Sequence, residues 1–328
     1  MDAVESKRIS RLLDFVKENI FIIFLFFLII VACLFVPYFL TTTNLLNILT
    51  QIAINGLLAT GMTYVIITGG IDLSVGSVAA LSGVIVTAIL THMQDANLFI
   101  CLLLTLVVSV VVGSICGGFI GIAVSKLNVA PFIATFAMYS IARGLSYIYT
   151  QSKPIYALPD AFTFLGAGYL GALPVLGILM VVVIGIAWFV EKNTTYGRHI
   201  FAVGSNEEVS KLSGVKVAGV KCRVYIICSV LAALGGICLA SRLDSGQPSA
   251  ANGYELTAIA AVAMGGTSMS GGSGSITKTL TGIITIGVIN NCLSLLKVDS
   301  YWQPVAMGII IFVAVAFDQL KATNRLGR

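Results

Sequence analysis

The chain has 328 residues, 58% of them hydrophobic and 10% charged, with a mean hydropathy of +1.00 and a net charge of +5. A soluble domain carries roughly 25% charged residues, so this composition excludes a water-clad globule and makes lipid the solvent. It also argues against a nucleic-acid surface, because the Lys and Arg are scattered between apolar runs instead of clustered on one polar face.

Residues 1–19 place Lys7, Arg8, Arg11 and Lys17 ahead of the apolar run 20–36. A basic head before such a run resembles a signal peptide. No small-residue cleavage site follows, only Pro37, Tyr38, Phe39 and Leu40, so the run is expected to stay as a first helix. A spanning helix needs about 20 mostly apolar residues, and intervals free of Asp, Glu, Lys and Arg locate the others. Between Glu18 and Asp72 there is room for two helices, divided near residues 37–44. Residues 72–95 supply a third, 95–126 a fourth, and 131–150 a fifth with Arg143 inside it. Residues 160–191 supply a sixth, 223–242 a seventh, 255–271 a short glycine-rich eighth, 278–297 a ninth and 299–318 a tenth. The expected fold is all-α and integral to the membrane, a single domain over residues 1–328 with about ten transmembrane helices.

Orientation follows from the excess of Lys and Arg in cytoplasmic loops. With the N-terminus inside, fifteen of the nineteen basic residues fall in inside segments. Only Lys153, Arg242 and Lys297 fall outside, and Arg143 lies within the membrane. An odd helix count would move Lys321, Arg325 and Arg328 outside and weaken the bias, so both termini are expected in the cytoplasm. Residues 1–19 then form a cytoplasmic tail, and residues 191–220 form the one long cytoplasmic loop. Within it Asn206, Glu207 and Glu208 open a short helix that Gly214 closes; Asn suits an N-cap and acidic residues suit a first turn. Such a helix would lie along the membrane surface.

Several residues carry chemistry in unusual places. Asp72 lies in Gly69-Gly70-Ile71-Asp72-Leu73-Ser74-Val75-Gly76-Ser77, between two apolar runs. An ionisable residue beside a span marks a functional candidate; the plainer reading is a tight turn whose Asp caps the third helix. The sequence Gly265-Gly266-Thr267-Ser268-Met269-Ser270-Gly271-Gly272-Ser273 echoes it, and the topology puts both copies on the cytoplasmic side. Arg143 must find a carboxylate, carbonyls or water, or else snorkel to an interface. Tyr254 and Glu255 open the eighth span, where Glu255 could pair with Arg143 or Arg242, contact a polar solute, or serve as a helix N-terminal carboxylate. A substrate pathway is therefore sought among Asp72, Ser74, Arg143, Tyr254, Glu255, Asn290 and Asn291. Gly113, Gly117 and Gly121 share one face of the fourth helix and are expected to let another helix approach closely, within the chain or between chains.

Catalytic and metal chemistry find no support. His92 and His199 fall in opposite loops, and the seven Cys make no CxxC or zinc spacing. Lys278-Thr279 suggests a phosphate loop, but Thr277 stands where that motif requires Gly.

The segments Gly61-Met62-Thr63, residues 69–77, Tyr196-Gly197-Arg198, residues 202–208, Leu212-Ser213-Gly214-Val215, Ser245-Gly246-Gln247-Pro248, Gly253-Tyr254-Glu255-Leu256 and Met264-Gly265-Gly266-Thr267-Ser268 together resemble the permease subunits of bacterial ribose-type sugar ABC importers, within the branched-chain amino acid/ribose permease family. The resemblance runs from about residue 37 to residue 318. It implies a vitamin-B12-importer-like helical bundle in the bacterial inner membrane that works as a dimer, a homodimer or a pair of paralogues. It further implies two kinds of partner, a cytoplasmic ATP-binding subunit that carries ATP and magnesium, and a periplasmic or lipid-anchored sugar-binding protein. The chain itself would bind no cofactor or metal and hydrolyse nothing. Gly204, Ser205, Asn206, Glu207, Glu208, Lys211, Leu212 and Gly214 match the loop that docks into the ATPase, the coupling helix. Many relatives carry Asp after Tyr-Glu-Leu, where this chain has Thr257, and Gly-Gly-Asn where it has Gly204-Ser205-Asn206. An ion-coupled secondary transporter is the rival class, and the sequence offers it no convincing cluster of intramembrane carboxylates.

Overall fold

The computed structural model describes residues 20–299, 301–306, 308–309 and 312–313. In chain order the helices are α1 (Ile20–Phe35), α2 (Thr42–Ile67), α3 (Val75–Leu90), α4 (Leu98–Ser125), α5 (Pro131–Thr150) and α6 (Asp160–Ala167). After the two-stranded hairpin β1 (Tyr169–Leu170) and β2 (Leu173–Pro174) come α7 (Val175–Asn193), α8 (Thr195–Ser205), α9 (Glu207–Leu212), α10 (Val217–Arg242), α11 (Tyr254–Met264) and α12 (Ile276–Leu295). The tail 1–19, most of the tenth interval and the C-terminal basic residues lie outside the described residues. Among the described residues α2, α4, α7, α10 and α12 are long and apolar enough to cross a membrane.

Local chemistry sets most helix starts. Thr41 caps α2 by accepting from Asn44 N, and Asn97 caps α4 by accepting from Ile100 N at 3.0 Å. Pro131 opens α5, where a missing N–H costs nothing. The sixth interval is broken. Gly166, Gly168, Gly171 and Pro174 interrupt it, so only residues 175–193 form the long helix, and α6 with the hairpin forms a cover. Gly166 is fixed there by the Arg242 backbone, against which any Cβ would collide.

The bundle is built around α10, which is the most buried of the long apolar helices. Three helices reach its backbone through glycine. Gly113, Gly117 and Gly121 of α4 rest on Val230, Ile226 and Cys222; Gly61 of α2 rests on Cys228; Gly236 of α10 rests on Ala79 of α3. The glycine stripe of α4 is therefore an intrachain seam. Lipid drives no hydrophobic association between spans, so close backbone approach is how such helices gain dispersion contact. The opposite face of α4, with Phe99, Leu102, Leu106, Val110 and Phe119, is exposed and apolar, as a lipid-facing surface must be.

At roughly 1.5 Å per residue, α3 spans about 24 Å and α11 about 17 Å, both short of a roughly 30 Å hydrocarbon core. The chain that precedes each explains this. Ile67, at the end of α2, accepts a hydrogen bond from Gly272 N at 2.9 Å, close to α8. From there residues 68–74 climb into the bundle: Gly70 meets the Tyr225 hydroxyl, the Asp72 carboxyl lies beside the Cys228 thiol, and Ala79 meets Gly236. These are successive levels across the middle of α10. From the opposite end, where Ile155 N donates to Gly246 O at 2.9 Å, residues 247–253 descend until Ala251 O and the Glu255 carboxylate touch Gly76. Irregular backbone at membrane depth is tolerated only inside protein or beside water. Thr68, Asp72 and Ser74 are fully enclosed, and residues 247–253 lie against α5.

Candidate functional site

Two groups of polar residues stand out, and they lie at two levels of the bundle. At one end, α8 and α9 form a connected pair. The Asn206 side chain accepts from Val209 N at 3.0 Å, capping α9 as expected, and Gly214 takes φ +83° to end the turn. Glu207 is ion-paired with Lys221 of α10. Glu208 and Lys211 are exposed, and Leu212 is 89% exposed, which is costly for a leucine with no partner. The root of the pair is Gly204, packed directly against Ile67 O and 2.7 Å, from an added Cβ, to Gly272 N. Gly271, at φ +85°, stands where a Cβ would meet Gly69 N at 3.0 Å and Gly204 O at 3.1 Å. The two glycine-rich echoes thus meet each other, and the end of α8 rests on both. Burial pushes the Tyr196 phenol at the start of α8 well above its ordinary range, partly opposed by the Arg223 guanidinium.

At mid-depth, Arg143 answers the choice left open by its sequence position. Its Nη1 donates to Pro248 O at 2.6 Å and Ala250 O at 2.9 Å, and its guanidinium lies 5.8 Å from the Tyr139 ring centre. Carbonyls compensate it directly: among the described residues no carboxylate, Glu255 included, lies within 4.0 Å of Arg143 or Arg242 as an ion pair. Tyr139, Arg143, Tyr147, Ser249 and Asn252 line an open cavity of about 200 Å³. Around it Ser140, Ser249 and Asn252 are exposed, whereas Phe132, Phe136 and Ile148 elsewhere on α5 present an apolar surface. Polar groups at this depth face water or protein. Arg143→Ala should free residues 247–253, at a cost of about 1–3 kcal/mol for the lost charged hydrogen bonds. Faster amide exchange in that segment, with Arg143→Lys intermediate because the shorter lysine brings its ammonium less far than the Nη1 that makes both bonds, is the expected observation.

Other sequence-derived candidates separate into distinct roles. Asp72 is 0% exposed; its Oδ1 accepts from Ser74 N at 2.8 Å and Ser74 Oγ at 2.6 Å. It therefore pins the re-entrant turn and does not cap α3, where no side-chain capping bond forms. Tyr254 and Glu255 stand at the mid-depth meeting of α11 and α3. Asn291 is engaged: its Nδ2 donates to Asn44 Oδ1 at 2.8 Å and Asn44 Nδ2 donates back at 3.0 Å. The pair ties α2 to α12, and Asn290 Oδ1 is buried without a partner. Sequence reasoning missed Asn44, Tyr139, Tyr147, Ser249, Asn252 and Glu191. A polar residue inside an apolar interval was the available signal for Asn44; the others had none before their partners were known.

A family profile described as "Branched-chain amino acid transport system / permease component" matches residues 44–315. The chain is 44% identical over 300 residues to the ribose import permease protein RbsC of Bacillus subtilis (strain 168), covering 91% of both chains. It is 41% identical over 316 residues to RbsC of Haemophilus influenzae (strain ATCC 51907 / DSM 11121 / KW20 / Rd), covering 95% of this chain and 96% of that one. It is 35% identical over 301 residues to the L-arabinose transport system permease protein AraH of Escherichia coli (strain K12), covering 90% and 89%. No solved structure matches it. With a profile match over most of its length and long alignments to curated permeases, this chain belongs to the family of branched-chain amino acid transport system permease components.

Proposed function

We propose that this chain is the non-catalytic membrane subunit of an ATP-driven sugar importer, with ribose as the expected solute. The relatives named for ribose and L-arabinose import support a monosaccharide. About ten helices with both termini in the cytoplasm agree with the basic-residue bias. ATP and magnesium would sit on a cytoplasmic ATP-binding subunit, and a sugar-binding protein outside would deliver the solute. A second permease copy would close the pathway across the polar face of α5 and residues 247–253, placing Arg143, Ser249 and Asn252 along the solute's route through the bacterial inner membrane.

The observation that carries this reading is the α8–α9 pair. It offers Glu208, Lys211 and a bare Leu212 at its tip while its root, Gly204, is wedged against the ends of α2 and the 268–275 turn. Such a lever has use only if another molecule grips it. Movement there would bias the bundle between outward-open and inward-open forms. Reconstituted with both partners, the permease is expected to import ribose only when ATP is present, including after collapse of ion gradients. The combined reversal Glu207→Lys, Glu208→Lys and Lys211→Glu should leave it inserted and bring uptake to background. Uptake driven by an ion gradient without ATP would establish a secondary transporter instead.

A further inference from the structure

Glu191 ends the long apolar stretch of α7, and its side chain is 0% exposed. A carboxylate this enclosed is rare without a specific partner. Its Oε2 accepts from Ile276 N at 2.7 Å. Ile276 is the first residue of α12, and Ser275 before it makes no side-chain capping bond, its hydroxyl lying 2.8 Å from the Thr277 hydroxyl instead. Glu191 thus supplies from another helix an acceptor for the first orphan amide of α12, with a negative charge that suits a helix N-terminus.

The backbone around Glu191 is equally fixed. Thr194 Oγ1 donates to Val190 O at 2.6 Å and accepts from Gly197 N at 3.1 Å, which starts α8. Gly197 itself packs on the carbonyls of Val190 and Glu191. Lys192 Nζ lies 3.3 Å from Glu191 Oε1. Nearby, Tyr64 Oη donates to Ala187 O at 2.6 Å, and the Thr63 and Thr279 hydroxyls are 2.9 Å apart. Residues 190–197 therefore form one corner that carries the α8–α9 pair outward and holds α12 inward.

We propose that Glu191 is a positioning residue that clamps the start of α12 to the start of α8. A displacement of the α8–α9 pair then moves α12 with it and is not absorbed in the loop. The inference rests on the ATP-driven reading above. It depends on reach more than on charge: glutamine keeps an acceptor oxygen at the same distance, whereas aspartate keeps the charge and is one methylene too short.

The test uses the full importer in proteoliposomes, measuring ribose uptake and ATP hydrolysis in the same vesicles for wild type, Glu191→Gln and Glu191→Asp. Glu191→Asp should hydrolyse ATP with little uptake, raising ATP consumed per ribose by roughly tenfold, the scale of one lost charge-assisted hydrogen bond. Glu191→Gln should stay near the wild-type ratio. A wild-type ratio in Glu191→Asp, including one in which uptake and hydrolysis fall together with the amount of assembled complex, would overturn the clamp. Wild-type uptake that needs no ATP would overturn the importer reading itself, and that control is read without reference to Glu191.

Discussion

Gly117→Leu is expected to yield no folded permease, whereas Gly118→Leu is expected to behave as wild type. The two residues are adjacent on α4 and point about 100° apart, so only one of them faces α10. A Cβ on Gly117 would lie 2.6 Å from both Ile226 Cα and Tyr225 O, and 2.9 Å from Ile226 N. All three are backbone atoms of α10, so no rotamer change makes room. A Cβ on Gly118 meets nothing within 4 Å. Overpacking a yielding core costs about 1–3 kcal/mol; here relief requires α4 to leave α10, which also unseats Gly113 and Gly121, so the loss should exceed the upper end. Gly118→Leu changes a lipid-facing position and should stay within about 0.5 kcal/mol. Monodispersity and thermal melting of the detergent-solubilised variants decide it; equal behaviour of the pair would refute the seam.

Gly204→Val should remove transport and spare the fold. Any side chain at Gly204 runs into the Ile67 carbonyl and Gly272 N, both main-chain atoms at the end of the bundle. The junction must open, and α8 must lift from α2. None of the α10 seams passes through this point, so the melting temperature should change by only a few degrees, the shift expected from roughly 1 kcal/mol in a chain of this size. Uptake should fall to background because the lever has lost its seat. Ser205→Gly is the control: it gives up one bond, from Ser205 Oγ to Phe201 O, and leaves the junction intact. Uptake by Gly204→Val near the wild-type level would mean that the α8–α9 pair does not transmit motion through this contact.

Solvent and class were legible along the chain. Charge-free intervals mark lipid because every buried charge in hydrocarbon is costly, a local property that a window of residues records. The short helix after Asn206 was legible because a cap acts on an amide three residues away, and the α4 stripe because a four-residue period fixes one helix face. Which intervals are whole helices emerged only from packing. Hydropathy is the same for a span and for a helix that starts half-way up, so the sixth interval read as one helix, and residues 68–74 and 247–253 gave no sign of re-entering the bundle. Packing alone also gave Arg143 its carbonyls 105 and 107 residues away, Glu191 its amide 85 residues away, and Asn44 its partner 247 residues away. A hydrogen bond depends on where two groups meet in space, and at such separations the chain between them carries no local trace of the meeting.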